Sequence, residues 1–149
     1  KVVELHTATH LMLAGLQKEL GGHIHQAGSN ITGERLRYDF NKNKKIDRAV
    51  LDKVEAFVNN AIKVGGGVSI EMMSKDKAQE DKTIEASFWD RYPDEVKVYT
   101  MKGNDGTIFS RELCGGPHVD KLEDIKGTFK ITKEESSSAG VRRIKAILE

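Results

Sequence analysis

Two short motifs of metal-binding residue types stand far apart in the chain, and together they limit what it can fold into. His6-Thr7-Ala8-Thr9-His10 sets two imidazoles at i and i+4, adjacent on one face of a helix. Cys114-Gly115-Gly116-Pro117-His118 follows a strand-like run, and its glycines and proline predict a tight turn that presents side chains instead of burying them. One thiolate and three imidazoles form a common zinc donor set, and a helix facing a turn builds a tetrahedron readily. If one Zn2+ is shared by all four, the fold must carry the late turn back onto the early helix. Other readings exist for each half alone: a solvated helical histidine pair, or a buried cysteine beside a loop histidine. The zinc-protease motif requires a glutamate directly after the first histidine, where Thr7 stands. A cysteine-nucleophile arrangement on Cys114 leaves the His6/His10 pair unexplained.

Hydrophobic periodicity supplies the rest of the frame. Over residues 4–20, Leu5, Met12, Leu13, Leu16 and Leu20 share one side of a helical wheel, with Gly21 and Gly22 as the stop. His6 and His10 fall beside that stripe, at the edge of the core. Residues 35–40 alternate, with Leu36, Tyr38 and Phe40 on one face and Arg35, Arg37 and Asp39 on the other, and residues 23–31 are the expected partner strand. Within that partner, His23 and His25 read as rim residues. Asp47 is the expected N-cap of a second helix carrying Val50, Leu51, Val54, Phe57, Val58, Ala61 and Ile62, ended by Gly65 to Gly67. Strand signals follow at 68–72, 96–101, 107–113, 129–132 and 141–148, with a turn at Asn104-Asp105-Gly106. A short helix is expected at 75–80, an aromatic patch at Phe88, Trp89 and Tyr92, and loops at 41–48 and 136–140. The expectation is an α+β fold: two main helices on a largely antiparallel β-sheet, a single domain over 1–149 with a zinc site between a helix and a loop.

Charge and cysteine usage narrow the partners. With 24 basic and 23 acidic side chains the net charge is +1, so nucleic-acid contact must come from local clusters. No apolar run approaches the roughly 20 residues that span a bilayer, and no membrane association is expected. A lone cysteine in the 149 residues forms no internal disulfide, which fits a cytoplasmic setting. Because the chain opens on Lys1, it is expected to be cut from something larger.

The motifs also carry a resemblance. His6-Thr7-Ala8-Thr9-His10-Leu11, His25-Gln26-Ala27-Gly28-Ser29, Arg35-Leu36-Arg37-Tyr38-Asp39-Phe40, Glu112 to Val119 and Gly140-Val141-Arg142-Arg143-Ile144 occur in that order. The set resembles alanyl-tRNA synthetase editing domains nearly end to end, along with the related free-standing alanyl-tRNA editing proteins and, more widely, the threonyl-tRNA synthetase editing domain. The resemblance implies a zinc-dependent aminoacyl-tRNA deacylase that removes serine, and also glycine, from tRNA(Ala) while sparing alanine. It implies that His6, His10, Cys114 and His118 are the metal ligands and that Gln26, with Ser29 beside it, lines the aminoacyl pocket. Arg142 and Arg143, with Arg35 and Arg37, are the candidates for the tRNA(Ala) acceptor end. If the domain is embedded, the rest of an alanine-tRNA ligase is its other partner. Pro117 departs from the threonine usual in the family, and Lys145 from glutamate. The competing function is a noncatalytic zinc-stapled module that binds RNA or a protein.

Overall fold

A computed structural model of the chain describes residues 1–86 and 91–149. Helix α1 (Val2–Leu20) leads into strand β1 (Gln26–Ile31), β2 (Leu36–Asn41) and helix α2 (Arg48–Val64). Then come β3 (Gly66–Ser74), the short α3 (Lys75–Glu80), β4 (Glu95–Gly103) and β5 (Ile108–Leu113). A 3-10 turn (Leu122–Asp124), β6 (Phe129–Ser138) and β7 (Val141–Leu148) complete the chain. Of the expected aromatic patch, Phe88 and Trp89 lie outside the described residues.

The strands do not form one sheet. They divide into a four-stranded sheet of order β1-β2-β7-β6 and a three-stranded sheet of order β3-β4-β5, antiparallel throughout. The reason lies in α1, which packs against α2, β1, β2 and β5 and so stands between the sheets. Its middle is buried nearly all round, including Ala8 and Leu11 outside the expected stripe, as suits a helix enclosed by its own domain. Helix α2 has the cleaner amphipathic pattern. Leu51, Val54, Val58 and Ala61 are buried, while Val50, Phe57 and Ile62 pack at the core margin. Asp47 takes the N-cap position of α2, but its side chain makes no capping hydrogen bond.

The main core joins α1, α2 and the inner face of the four-stranded sheet, where Leu36 and Tyr38 on β2 pair with Ala146 and Ile144 on β7, and Phe40 and Leu148 belong to the same cluster. A second cluster, Ala78, Ile84, Val96, Val98 and Leu113, sits under α3. Residues 136–138, expected in a loop, extend β6 instead. Bulges at Ile131/Lys133 and Ser136/Ser138 keep the ladder to β7 in step. Among the described residues no helix is long and apolar enough to cross a membrane.

Candidate metal centre

Helix geometry stacks His6 and His10 one turn apart, and the chain leaving β5 brings Cys114 and His118 onto them. One donor atom from each of the four lies within 4.8 Å of every other. The turn approaches so closely that a Cβ on Gly116 would stand 2.6 Å from His6 Cε1, a contact only glycine avoids. The His6 and His118 rings stack at 4.2 Å, and the Tyr99 ring packs on His118 at 4.5 Å.

All three imidazoles are oriented the same way. His6 Nδ1 donates to the Pro117 carbonyl at 2.7 Å, and His10 Nδ1 donates to the Glu112 carboxylate. Thr7 Oγ1 donates to the Val3 carbonyl at 3.2 Å and so accepts from His118 Nδ1 at 3.0 Å and from the Val119 amide at 3.2 Å. With each Nδ1 engaged outward, each Nε2 is left for the centre, the usual outer-shell device for fixing a metal-binding tautomer. His10 Nε2 lies 3.3 Å from His6 Nε2, which is itself 3.3 Å from Cys114 Sγ. His118 Nε2 is buried with no hydrogen-bond partner among the described residues. An orphaned buried ring nitrogen facing a thiol and two more imidazoles is the donor chemistry of a tetrahedral zinc site.

The electrostatics agree. Burial alone would raise the Cys114 thiol, but the surrounding His10, His118 and His6 imidazoles bring it down to about 3, which favours the thiolate. Burial would likewise lower His10, yet Glu112 and the Cys114 sulfur push it up to about 10. Burial raises Glu112 against the pull of His10, and burial lowers His118. A cation among these groups would take the place of the protons they now share.

A cavity of about 300 Å³ opens beside the cluster, bounded by His6, His10 and Cys114 on one side and by Gln26, Ser29 and Tyr38 on the other. In a regular strand Gln26 and Ser29, three apart, would face opposite ways. A register shift between Gln26 and Gly28 brings both to the cavity, where Gln26 Nε2 donates to Ser29 Oγ at 3.0 Å.

The four arginines do not gather at this opening. Arg35 precedes β2 and its Nη1 donates to the Asn30 carbonyl and side-chain oxygen at 3.0 and 2.9 Å. Arg143 holds Asp39 through two bonds of 2.8 and 3.1 Å, and Arg37 Nε lies 4.0 Å from the same carboxylate. Strand alternation puts Arg37, Asp39 and Arg143 on the reverse of the sheet from Tyr38. Arg142 points to the inner face, bonded to Glu134 at 2.6 and 2.9 Å. Of the rim histidines, His25 is half exposed and pairs with Glu85. Thr7, Glu112 and the Tyr38 hydroxyl were not singled out by the sequence, although Glu112 lies in the quoted motif and Tyr38 on the inward face.

Residues 96–145 match the family described as the threonyl and alanyl tRNA synthetase second additional domain. The chain is 49% identical over 148 residues to the alanine-tRNA ligase of Borreliella burgdorferi, covering 99% of this chain and 24% of that one. Against the alanine-tRNA ligase of Treponema denticola it is 46% identical over 144 residues, 97% of this chain and 23% of the ligase. The corresponding enzyme of Desulfosudis oleivorans is 44% identical over 142 residues, 95% of this chain and 15% of the ligase. The chain thus spans a quarter or less of the length of these relatives.

Proposed function

The chain belongs to the family of alanyl-tRNA synthetase segments that carry this second additional domain, and from that premise we propose that it proofreads mischarged tRNA(Ala) by hydrolysing the ester to serine or glycine. On this reading residues 1–149 act as one editing domain within or homologous to a larger ligase. The observation that carries it is the convergence of His6, His10, Cys114 and His118 at the wall of a cavity whose other wall bears Gln26 and Ser29.

In the proposed reaction a water oxygen bonds to the ester carbonyl carbon, and the bond from that carbon to the ribose oxygen breaks. The amino acid leaves as a carboxylic acid and the ribose oxygen regains its proton from water. His6, His10, Cys114 and His118 would hold one zinc ion, which when bound supplies an electrophile that anchors the aminoacyl end or polarises its carbonyl. Four protein donors favour the anchoring role. Glu112, Pro117 and Thr7 keep the three imidazoles turned toward the centre. Gln26 and Ser29 offer an amide and a hydroxyl to the aminoacyl group. Proofreading is needed because an apolar pocket cut for alanine rejects an added hydroxyl by only about a hundredfold.

For the single-stranded acceptor end, Arg142 is the arginine best placed. Gln26, Phe40 and Arg142 are aligned across three neighbouring strands, which sets Arg142 about 10 Å from Gln26 on the inner face. Arg35, Arg37 and Arg143 would serve a longer stretch of RNA passing behind the sheet. Deacylation of seryl-, glycyl- and alanyl-tRNA(Ala), with and without a zinc chelator, tests the proposal. The expected result is hydrolysis of the first two, sparing of the third, and loss with chelator. A closed four-donor site also suits a zinc staple in an RNA- or protein-binding module. Intact folding and zinc binding without hydrolysis of any charged tRNA would select that reading.

A further inference from the structure

Discrimination by an unpaired polar group works only where water cannot take the substrate's place. Gln26 and Ser29 do not meet that condition. They bond to each other, Ser29 is exposed, and water can replace anything either of them loses. Tyr38 meets it. Its residue is 1% exposed, it lines the same cavity from β2, and its hydroxyl has no hydrogen-bond partner among the described residues. A buried phenol oxygen with no partner among the described residues is open to one supplied by a molecule seated in the cavity.

We propose that the Tyr38 hydroxyl is the group that reads the side-chain hydroxyl of a seryl ester, making Tyr38 the residue that sets serine apart from glycine and alanine. This rests on the proofreading reading above and assigns its specificity to a buried group on β2 instead of the β1 pair. The phenol is suited to the task because it both donates and accepts. Burial first, and then the Glu112 and Glu85 carboxylates, hold its pKa well above the usual tyrosine value, so it stays protonated. Its ring is fixed by packing on Phe40, with centroids 6.3 Å apart, so the oxygen is held in place before substrate arrives. Seated in the cavity in place of its solvent, alanyl and glycyl esters would leave the hydroxyl without a partner, whereas a seryl ester would complete it.

Tyr38→Phe removes the oxygen and keeps the ring, so it tests the assignment with little disturbance of the fold. With the zinc-loaded full chain, kcat/KM is measured on seryl- and glycyl-tRNA(Ala) for both forms. The seryl-to-glycyl ratio should fall about tenfold or more in the variant, through the seryl substrate alone and with zinc content unchanged. A ratio within twofold or so of the parent overturns the proposal, as does an equal loss on both substrates, which would mark the hydroxyl as structural. In parallel, equilibrium binding of the non-hydrolysable seryl and glycyl amides of 3′-amino-3′-deoxyadenosine separates this inference from the reading beneath it. If the parent chain hydrolyses nothing yet prefers the seryl amide and Tyr38→Phe does not, the turnover reading fails and the Tyr38 assignment stands. If the parent binds neither amide and hydrolyses nothing, both fail.

Discussion

On the α1 side of the cavity almost every polar atom has one fixed partner inside the protein. Glu112 accepts a hydrogen bond from His10, the Pro117 carbonyl from His6, and Thr7 from His118. On the β1 side Gln26 and Ser29 satisfy each other at the surface, and the polar oxygen of Tyr38 is buried without a partner among the described residues. The first wall fixes its side chains through these bonds and tolerates little change. The second is held by backbone pairing and a bulge, so its side chains can be exchanged without moving the strand. Variants of the first wall should therefore act through metal content and stability, and variants of the second through substrate choice and RNA contact.

The largest effect is expected from removing two donors at once. Cys114→Ser with His118→Ala should take bound zinc from about one per chain to none and abolish deacylation, as metal analysis of the purified chain would show. Retention of zinc by that variant breaks the contrast at its root. A smaller effect on the same wall comes from Thr7→Val, which keeps the shape and deletes one oxygen. That oxygen accepts from His118 and the Val119 amide in a fully buried position, so its loss should destabilise the chain by about 1–3 kcal/mol. Zinc affinity should fall roughly 10- to 100-fold. Chelator competition and denaturant unfolding measure the two, and a change in stability without a change in affinity would separate Thr7 from the metal.

The first wall was largely readable from residue types because its logic is chemical and partly local. The i, i+4 spacing of His6 and His10 is a property of any helix, and a glycine-proline turn after a strand announces itself. What could not be read were the partners supplied by tertiary contact. In the sequence Thr7 stands out only as the residue that is not a glutamate, and Glu112 belongs to a strand whose facing helix is far away in sequence. The second wall was less legible still. Period-two reasoning correctly turned Tyr38 inward, but it could not foresee the bulge that aligns Gln26 with Ser29. Nor could alternation alone reveal that α1 would part the strands into two sheets, since that depends on how many faces of one helix are buried.

On the second wall, replacing Gln26 with tryptophan should lower deacylation of seryl-tRNA(Ala) by about tenfold or more, because a bulky ring fills the approach to the ester. Zinc content should match the parent, since Gln26 lies on β1 whereas the donors lie on α1 and in the turn after β5. Parallel loss of metal would mean the two walls are mechanically coupled, and the contrast between them would have to be abandoned.

The smallest effect, and the one most in need of a control, concerns Arg142. Loss of one phosphate contact should weaken tRNA binding and lower the slope of log affinity against log salt by about one. Arg142, however, is held by Glu134, whose side chain is 3% exposed. Arg142→Ala therefore leaves a buried carboxylate without its partner, and any weakening could come from that new negative charge instead of a lost contact. The double variant Arg142→Ala/Glu134→Gln removes the ambiguity, since it deletes the cation without stranding the anion. If the reduced slope persists in the double variant, Arg142 meets the RNA backbone. If the slope returns to the parent value, the arginine serves only the sheet, and Arg143→Ala, which acts on the reverse face against Asp39, becomes the better place to look for an RNA path.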